Sequence, residues 1–309
     1  MTRSQWLALS TAPETGRATM GALLARFGSL EQALAASDES LAQTSRRMTP
    51  AVIAHVRAHA DDPDPAEGLA RRRVQLVTPE DAAYPARLRD PGIDPAVLYV
   101  RGSLLPADGL AVAVVGSRAP SPEGLTAART VAGELARRGV TVVSGLAIGI
   151  DSAAHRAALE AGGRTLAVLP SGCWAVHPRS NRQLAERIAR QGALLSEYPP
   201  DDRIVPERLL VRNALIASLC LAMVVADCAL PTAGQRDPGT LHAARRALGC
   251  GRRLFVAPPA ARAAQRLAGR EGNSTLHPLD PDAVDWDAWV ARLQELPRGL
   301  ERRRQGSLW

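Results

Sequence analysis

The sequence predicts an α/β protein in which a small all-helical module precedes a Rossmann-like, doubly wound parallel sheet. Two observations carry this prediction. From about residue 110, continuous aliphatic segments of strand length alternate with amphipathic segments of helix length. This alternation is typical of a parallel sheet covered by helices on both faces. Before about residue 62, short helical patterns are instead separated by glycine and polar turns.

Six aliphatic segments are the predicted strands of the main sheet: Ala111–Val115, Val140–Val143, Thr165–Leu169, Ala193–Ser196, Met223–Ala226 and Leu254–Ala257. The stretch Gly124–Arg138 is a predicted helix, because Leu125, Ala128, Val131 and Leu135 recur in it at helical spacing. Right-handed crossovers would bring the loops that follow the strands to one edge of the sheet, where such folds usually bind their ligands.

The regions outside this core are predicted from turn and capping signals. Ser29 is placed to cap a helix, with Gln32 at the capping-box position. Two prolines and four acidic residues make 61–68 a predicted linker that does not sustain a helix. The predicted division is a SAM-like or helix-hairpin-helix-like module (1–62), a linker and extension with candidate strands at 74–77 and 97–100 (63–109), a Rossmann-like domain (110–285), and a C-terminal helix from Asp285 to Leu296 with a basic tail (286–309).

Composition restricts the classes of function. The 309 residues carry a formal charge of +7, and all 38 basic residues are arginine. Net positive charge favours polyanionic partners, because each phosphate contact releases counterions. No apolar run has the length of a membrane span and the N-terminus lacks a signal-peptide pattern, so a cytoplasmic protein is expected. The four cysteines form no CxxC pair and are expected to be free thiols in the core.

The loop that follows the first predicted strand contains Gly116, Ser117 and Arg118. It leads from a strand into a helix, so its backbone N–H groups and the helix dipole suit a phosphate, and Arg118 adds a bidentate donor. The loop is not GxGxxG, and the next strand ends in Ser144 and Gly145 rather than an acid, which argues against a dinucleotide cofactor. The absence of GK[ST] argues against a Walker-type nucleotidase. The alternative is a structural turn with an exposed arginine.

The second loop joins Gly145 to a predicted helix that carries His155. Gly145 and Gly149 permit close approach of the backbone. Asp151 is predicted to cap this helix, and we favour capping and packing over a metal or acid–base role for Asp151 and His155 because no second ligand pair is evident.

The third loop places Trp174, Arg179 and Arg182 close together in sequence. Such a set fits single-stranded nucleic acid, since aromatic rings stack on bases while arginines meet phosphates. The alternative is that Trp174 covers the edge of the core. Cys173 and His177 are too few for a metal site.

The last two loops precede further helices. The stretch Val211–Ser218 is predicted to open a helix, and Arg212 at a helix start is electrostatically unfavourable unless it serves a ligand. The stretch Asp237–His242 again puts glycine and threonine at a helix N-terminus.

Taken together, these segments resemble the DprA/Smf family. The strings VAVVGSR, VSGLAIGIDSAAHRAALEAGGRTLAVLPSG, HPRSNR, LLSEYPP and RNALIASL follow that family's order and spacing over roughly residues 75 to 260. The resemblance implies a dimeric, non-enzymatic protein that binds single-stranded DNA, protects incoming DNA in natural transformation and delivers it to RecA recombinase.

The motif matches imply a role for particular residues. Gly116, Ser117 and Arg118 would form the DNA pocket, Arg179 stands at the family's basic position, and Arg212 and Asn213 begin its RNR motif. With the residues identified from the loops, the predicted DNA-binding set is Gly116, Ser117, Arg118, Ser144, Gly145, Trp174, Arg179, Arg182, Arg212 and Asn213. No catalytic residue, cofactor, metal ion or membrane insertion is expected.

The sequence also departs from the family pattern. Ala214 replaces the second arginine of the RNR motif, Asp237–His242 replaces the family's SGSLIT stretch, and Trp174–Pro178 replaces its Asp-x-x-Tyr-Pro turn. No winged-helix domain is expected after the Rossmann-like core. These changes predict a divergent member with altered affinity or partner use.

Two other functions compete with this interpretation. LOG-type phosphoribohydrolases share this Rossmann variant and carry a PGGxGTxxE motif, which Pro238–Thr240 echoes. Ala243, however, stands where the catalytic glutamate would be, which leaves no obvious general acid or base. The other alternative is a scaffold that has lost DNA binding, and the presence of Arg118 and Arg179 argues against it.

Overall fold

The computed structural model describes residues 3–13, 15–63, 65–90, 93, 97–229, 239–263 and 276–296. Within this part of the chain the strands form a nine-stranded sheet. The strands are β1 (Gln75–Val77), β2 (Leu98–Gly102), β3 (Ala111–Gly116), β4 (Thr141–Ser144), β5 (Thr165–Val168), β6 (Ala193–Ser196), β7 (Ala222–Asp227), β8 (Arg253–Val256) and β9 (Leu276–Pro278).

The strand order is β1-β2-β6-β5-β4-β3-β7-β8-β9. Strands β3 to β9 pair in parallel, whereas β2 pairs antiparallel with both β1 and β6. From β3 the chain adds strands first on one side and, from β7 onward, on the other. The order therefore reverses between β3 and β7, and this switch point is where open α/β sheets bind ligands. The predicted doubly wound sheet is confirmed.

Helices cover both faces of the sheet. Those that follow β2 are α7 (Pro122–Arg137), α8 (Ile150–Glu160), α9 (Arg182–Gln191), α10 (Arg208–Leu219), α11 (Gly239–Gly249) and α12 (Trp286–Gln294). Helices α7 and α8 pack with α12 in one core cluster, and α10 and α11 pack in another. Each cluster buries the aliphatic side chains of the strands that it covers, which explains why these strands are apolar on both faces.

In the described ranges six α-helices precede this core: α1 (Arg3–Thr11), α2 (Arg17–Phe27), α3 (Leu30–Ala35), α4 (Asp38–Ala42), α5 (Pro50–His59) and α6 (Ala66–Arg71). The predicted cap at Ser29 is confirmed, because its side chain accepts a hydrogen bond from the Gln32 N–H. The prediction that 61–68 contains no helix is wrong for its end, since α6 begins at Ala66. Pro65 precedes the first helical residue, where its missing N–H costs nothing.

The N-terminal helices share a core with the sheet. Trp6 and Leu23 of α1 and α2 belong to the same buried cluster as Leu146, Leu169 and Leu194. The predicted boundaries between 62 and 63, 109 and 110, and 285 and 286 stay predictions, but apolar packing is continuous from the helices into the α/β core.

Other sequence predictions can be compared with the described residues. All four cysteines are buried free thiols, as predicted. No helix in the described ranges is long and apolar enough to cross a membrane. The predicted C-terminal helix is present as α12, and Asp285 caps it. The basic tail lies outside the described residues, as do Asp237 and Pro238.

Candidate nucleic-acid interface

The loops that follow β3 and β4 lie close to the start of α9 and the first turns of α10. We call this surface the rim and define it as residues 116–121, 144–149, 179–182 and 208–213. At the switch point Gly116 ends β3 and pairs with Asp227 of β7. The Ser117 N–H donates to the Asp227 carbonyl at 3.0 Å. The Asp227 carboxylate accepts from the Ser121 N–H at 2.9 Å and from the Ser121 hydroxyl at 2.7 Å. The first predicted loop is therefore held at both of its ends.

Arg118 lies in the middle of this loop and is exposed. No acidic group pairs with it in the part of the chain that the structure describes. Its charge acts on Arg212, since it contributes to lowering the pKa of that guanidinium. Two arginines that were far apart in sequence thus share one electrostatic environment at the rim.

Gly145 forms the contact surface for Arg212. A Cβ atom added at Gly145 would lie 1.1 Å from Arg212 Nη1 and 2.3 Å from its Cζ. Only glycine leaves room for a guanidinium in this position. In the same loop Gly149 has φ +81°, and an added Cβ there would lie 2.4 Å from the Ser117 carbonyl oxygen. The first two loops are therefore packed directly against each other.

Arg212 and Asp151 form a buried pair with loose geometry. Arg212 Nη1 lies 3.5 Å from Asp151 Oδ2, and the two side chains are 7% and 8% exposed. The Arg212 Nε–H is buried without a hydrogen-bond partner among the described residues. Burial raises the pKa of the Asp151 carboxyl, which Arg212 opposes. Burial lowers the pKa of the Arg212 guanidinium, which Asp151 opposes. Neither group is fully satisfied by the other.

Two sequence predictions about this pair are wrong. Arg212 does not open its helix, because α10 begins one turn earlier at Arg208. Asp151 does not cap α8, because it is the second helical residue and the N-cap is Gly149. The Asp151 carboxylate instead faces Arg212 and the Ala147 N–H, the latter at 3.4 Å. The pairing was missed from sequence, although an aspartate just after a glycine-rich loop was the available signal.

His155 lies behind the pair and is fully buried. The Thr165 hydroxyl donates to the Val142 carbonyl at 2.8 Å, so its oxygen accepts from His155 Nδ1–H at 2.6 Å. His155 Nε2 then has no partner in the described residues. Burial, together with the charges of Arg212 and Arg156, lowers the pKa of His155 to about 3. The imidazole is neutral and acts as packing beneath the rim, which agrees with the packing role favoured from sequence.

Asn181 anchors the third rim segment. Its buried side-chain amide donates to the Leu146 carbonyl and to the Ser152 hydroxyl, each at 2.9 Å. This contact ties residues 179–182 to the loop that holds Gly145. Arg179 and Arg182 flank the anchor, are exposed, and pair with no acidic side chain in the described ranges.

Two further predicted site residues, Ser144 and Asn213, make structural contacts with neighbouring elements. The Ser144 side chain is buried and donates to the Val114 carbonyl at 2.7 Å. The Asn213 side chain is half-buried and donates to the Gly239 carbonyl at 3.2 Å, which joins α10 to α11. Both residues position elements of the rim.

Trp174 stacks on an arginine that lies outside the rim. The loop that carries it folds back over β2, since the Cys173 thiol lies 3.4 Å from the Tyr99 carbonyl oxygen. The Trp174 ring stacks on the Arg101 guanidinium at 3.6 Å from the ring centroid, and Nε1 donates to the Arg72 carbonyl at 3.1 Å. The structure therefore does not bring Trp174 to Arg118 and Arg212.

The chemistry available at the rim is cationic. Two carboxylates near the rim already have partners: Asp151 pairs with Arg212, and Asp227 accepts a hydrogen bond from Ser121 of the first loop. Ala243 is a buried apolar residue of α11. Among the described residues no group of three or more histidine, cysteine or acidic side chains could hold a metal ion. The exposed arginines of the rim are thus suited to bind a polyanion.

Comparison with known proteins finds a matching family and several relatives. Residues 75–276 match the family described as DNA recombination-mediator protein A. A DprA protein of Mycobacterium tuberculosis strain H37Rv is 38% identical over 242 residues, which cover 74% of this chain and 61% of that protein. The chain thus spans about 61% of the length of this curated relative.

Two solved structures share the fold. DNA processing protein A from Streptococcus pneumoniae aligns with a TM-score of 0.74 and 28% identity, and the match covers 91% of this chain and 96% of that one. DNA processing protein A from Helicobacter pylori aligns with a TM-score of 0.58 and 25% identity, over 72% of this chain and 96% of that one. The H. pylori structure is described as revealing a single-stranded DNA binding mode.

Proposed function

This chain belongs to the DNA recombination-mediator protein A (DprA) family, and on that premise we propose that it binds single-stranded DNA at the rim. Arg118, Arg179 and Arg182 would contact phosphates, and Arg212 would form the positive floor between them. Gly116 and Ser117 would shape the loop that presents Arg118 to the strand, and Gly145 would leave the space in which the Arg212 guanidinium lies.

One observation carries this proposal: the Arg212 guanidinium is buried, but among the described residues a single carboxylate, at 3.5 Å, opposes it. A buried charge with weak compensation attracts an anion strongly, because the surrounding dielectric is low. Arg118, exposed on the neighbouring loop, offers a planar pair of donors to the same anion. The ligand described for the H. pylori relative supports a single strand as that anion.

We extend the proposal to the family's partners. The chain would protect incoming single-stranded DNA and deliver it to RecA during natural transformation, and it would act as a homodimer. Faster formation of RecA filaments on single-stranded DNA would support delivery, and an unchanged rate would contradict it.

Sedimentation equilibrium tests the proposed homodimer. A monomer at micromolar concentration would overturn the proposal of a homodimer.

The test of DNA binding is fluorescence anisotropy with labelled oligo-dT, with the matching duplex as competitor. Arg118→Ala should weaken binding by at least about 10-fold, since a charge-assisted hydrogen bond contributes about 1.5–3 kcal/mol. Arg129→Ala is the matched control, because Arg129 is exposed on α7 away from the rim. Equal affinities of Arg118→Ala and the control would contradict the proposal. Release of free base from a nucleoside monophosphate would instead favour the LOG-type alternative.

A further inference from the structure

A cationic cavity lies beside α9, outside the rim. It has a volume of about 340 Å³ and opens between α6, β1, β2 and α9. Its charged lining residues are Arg73, Arg101, Glu186 and Arg190. None of them belongs to the rim.

The residues that line the cavity carry a net positive charge. Arg101, whose side chain is 9% exposed, forms an ion pair with Glu186. Arg73 and Arg190 are exposed, and neither has an acidic partner in the described ranges of the chain. Two arginine charges are therefore available to a ligand, which is the pattern expected of a site for phosphate groups.

An aromatic ring lies beside this cavity. Trp174 stacks on the Arg101 guanidinium, a lining residue, and its Nε1–H is fixed by the carbonyl of Arg72. The residue is still 36% exposed. A ring that is held from one side and open to solvent is a platform on which a nucleobase can stack.

Helix α9 connects the cavity with the rim. Arg182, Glu186 and Arg190 follow one another at intervals of four residues, so they lie along one face of the helix. Arg182 belongs to the rim, whereas Glu186 and Arg190 line the cavity. Eight helical residues span about 12 Å, a distance that a few nucleotides can bridge.

We propose that this cavity is a second subsite for the same DNA strand, in which a base stacks on Trp174 and phosphates bind Arg73 and Arg190. This inference rests on the proposed function, because the strand reaches the cavity from the rim along α9. It predicts that oligonucleotide length decides whether the cavity contributes to affinity.

The experiment compares an oligo-dT of about six nucleotides with one of about twenty, which bracket the footprints of small single-strand binding folds. The double variant Arg73→Ala/Arg190→Ala should bind the short oligonucleotide as the wild type does and the long one about 10-fold more weakly. Its slope of log K against log salt on the long oligonucleotide should fall by about 1.4, because two phosphate contacts are lost. Arg187→Ala is the matched control, since Arg187 is exposed on α9 but off this face.

A second readout is tryptophan fluorescence. The long oligonucleotide should quench the wild type more than Trp174→Phe, and the short one should quench both equally. Wild-type binding of the long oligonucleotide by the double variant would overturn the subsite. Failure of Arg118→Ala to weaken the short oligonucleotide would instead overturn the proposed function at the rim, so the two failures are distinguishable.

Discussion

Two arginine–carboxylate pairs, one largely buried and one buried, join separate parts of this chain, and their geometries differ. Arg17 of α2 meets Glu197, which follows β6, through two hydrogen bonds of 2.7 Å each. Arg212 meets Asp151 through one contact of 3.5 Å, and its Nε–H has no partner in the described part of the chain. The first pair uses its charges to attach the N-terminal helices to the sheet. The second leaves the charge of Arg212 incompletely compensated, which fits our proposal that this guanidinium serves a ligand.

The comparison predicts that Arg17→Ala changes stability and not affinity. Removing one partner leaves Glu197 largely buried without its cation, so the free energy of unfolding should fall by about 3–5 kcal/mol. Urea unfolding measures this change, and oligo-dT affinity of the folded variant should stay within about 2-fold of the wild type. A loss of affinity comparable with that of Arg118→Ala would break the distinction between the two pairs.

The buried His155 should make the stability of the folded protein depend on pH. Burial, together with the charge of Arg212, lowers the pKa of His155 in the folded protein to about 3 from an ordinary value of 6.5. The unfolded chain therefore binds a proton that the folded protein does not, and stability should fall by about 1.4 kcal/mol per pH unit as pH drops below 6.5. Urea midpoints at about pH 6.5 and about pH 4.5 should differ by correspondingly less in His155→Asn. Identical pH dependence in the two proteins would contradict the proposed neutral, buried imidazole.

Arg212→Gln should differ from Arg17→Ala because it lowers DNA affinity as well as stability, since it leaves the buried Asp151 carboxylate without its cation. We expect oligo-dT affinity to fall about 100-fold, which corresponds to about 2.7 kcal/mol. The double variant Asp151→Asn/Arg212→Gln removes both buried charges and should regain stability without regaining affinity. Recovery of affinity in the double variant would show that Arg212 acts only by neutralising Asp151.

Gly145→Ala gives the smallest effect and tests the fit between the second loop and the guanidinium. The new Cβ would occupy the position of Arg212 Nη1, so the guanidinium must move, and affinity should fall about 10-fold, or about 1.4 kcal/mol. Gly133→Ala on α7 is the matched control, because the nearest atom to its Cβ is 3.6 Å away. Unchanged affinity in Gly145→Ala would mean that the position of Arg212 is not important for binding.

The sequence predicted most of the fold because the aliphatic strands are buried on both faces and strictly alternate with amphipathic helices. It also predicted the first loop, where glycine, serine and arginine occur consecutively. Its errors arose where contacts are distant in sequence. The pairing of Asp151 with Arg212 spans 61 residues, and an aspartate in the first turn of a helix is readily mistaken for its cap. Trp174 was open to two interpretations because a loop sequence does not reveal the direction in which the loop folds back.

The most direct test of the account is the salt dependence of oligo-dT binding in the wild type, Arg118→Ala and Arg129→Ala. Each phosphate contact to a single strand contributes about 0.7 to the slope of log K against log salt. The account predicts a slope that is about 0.7 shallower in Arg118→Ala and unchanged in Arg129→Ala. Equal slopes of log K against log salt for all three proteins would show that Arg118 makes no contact with a DNA phosphate, which would contradict the proposed binding at the rim.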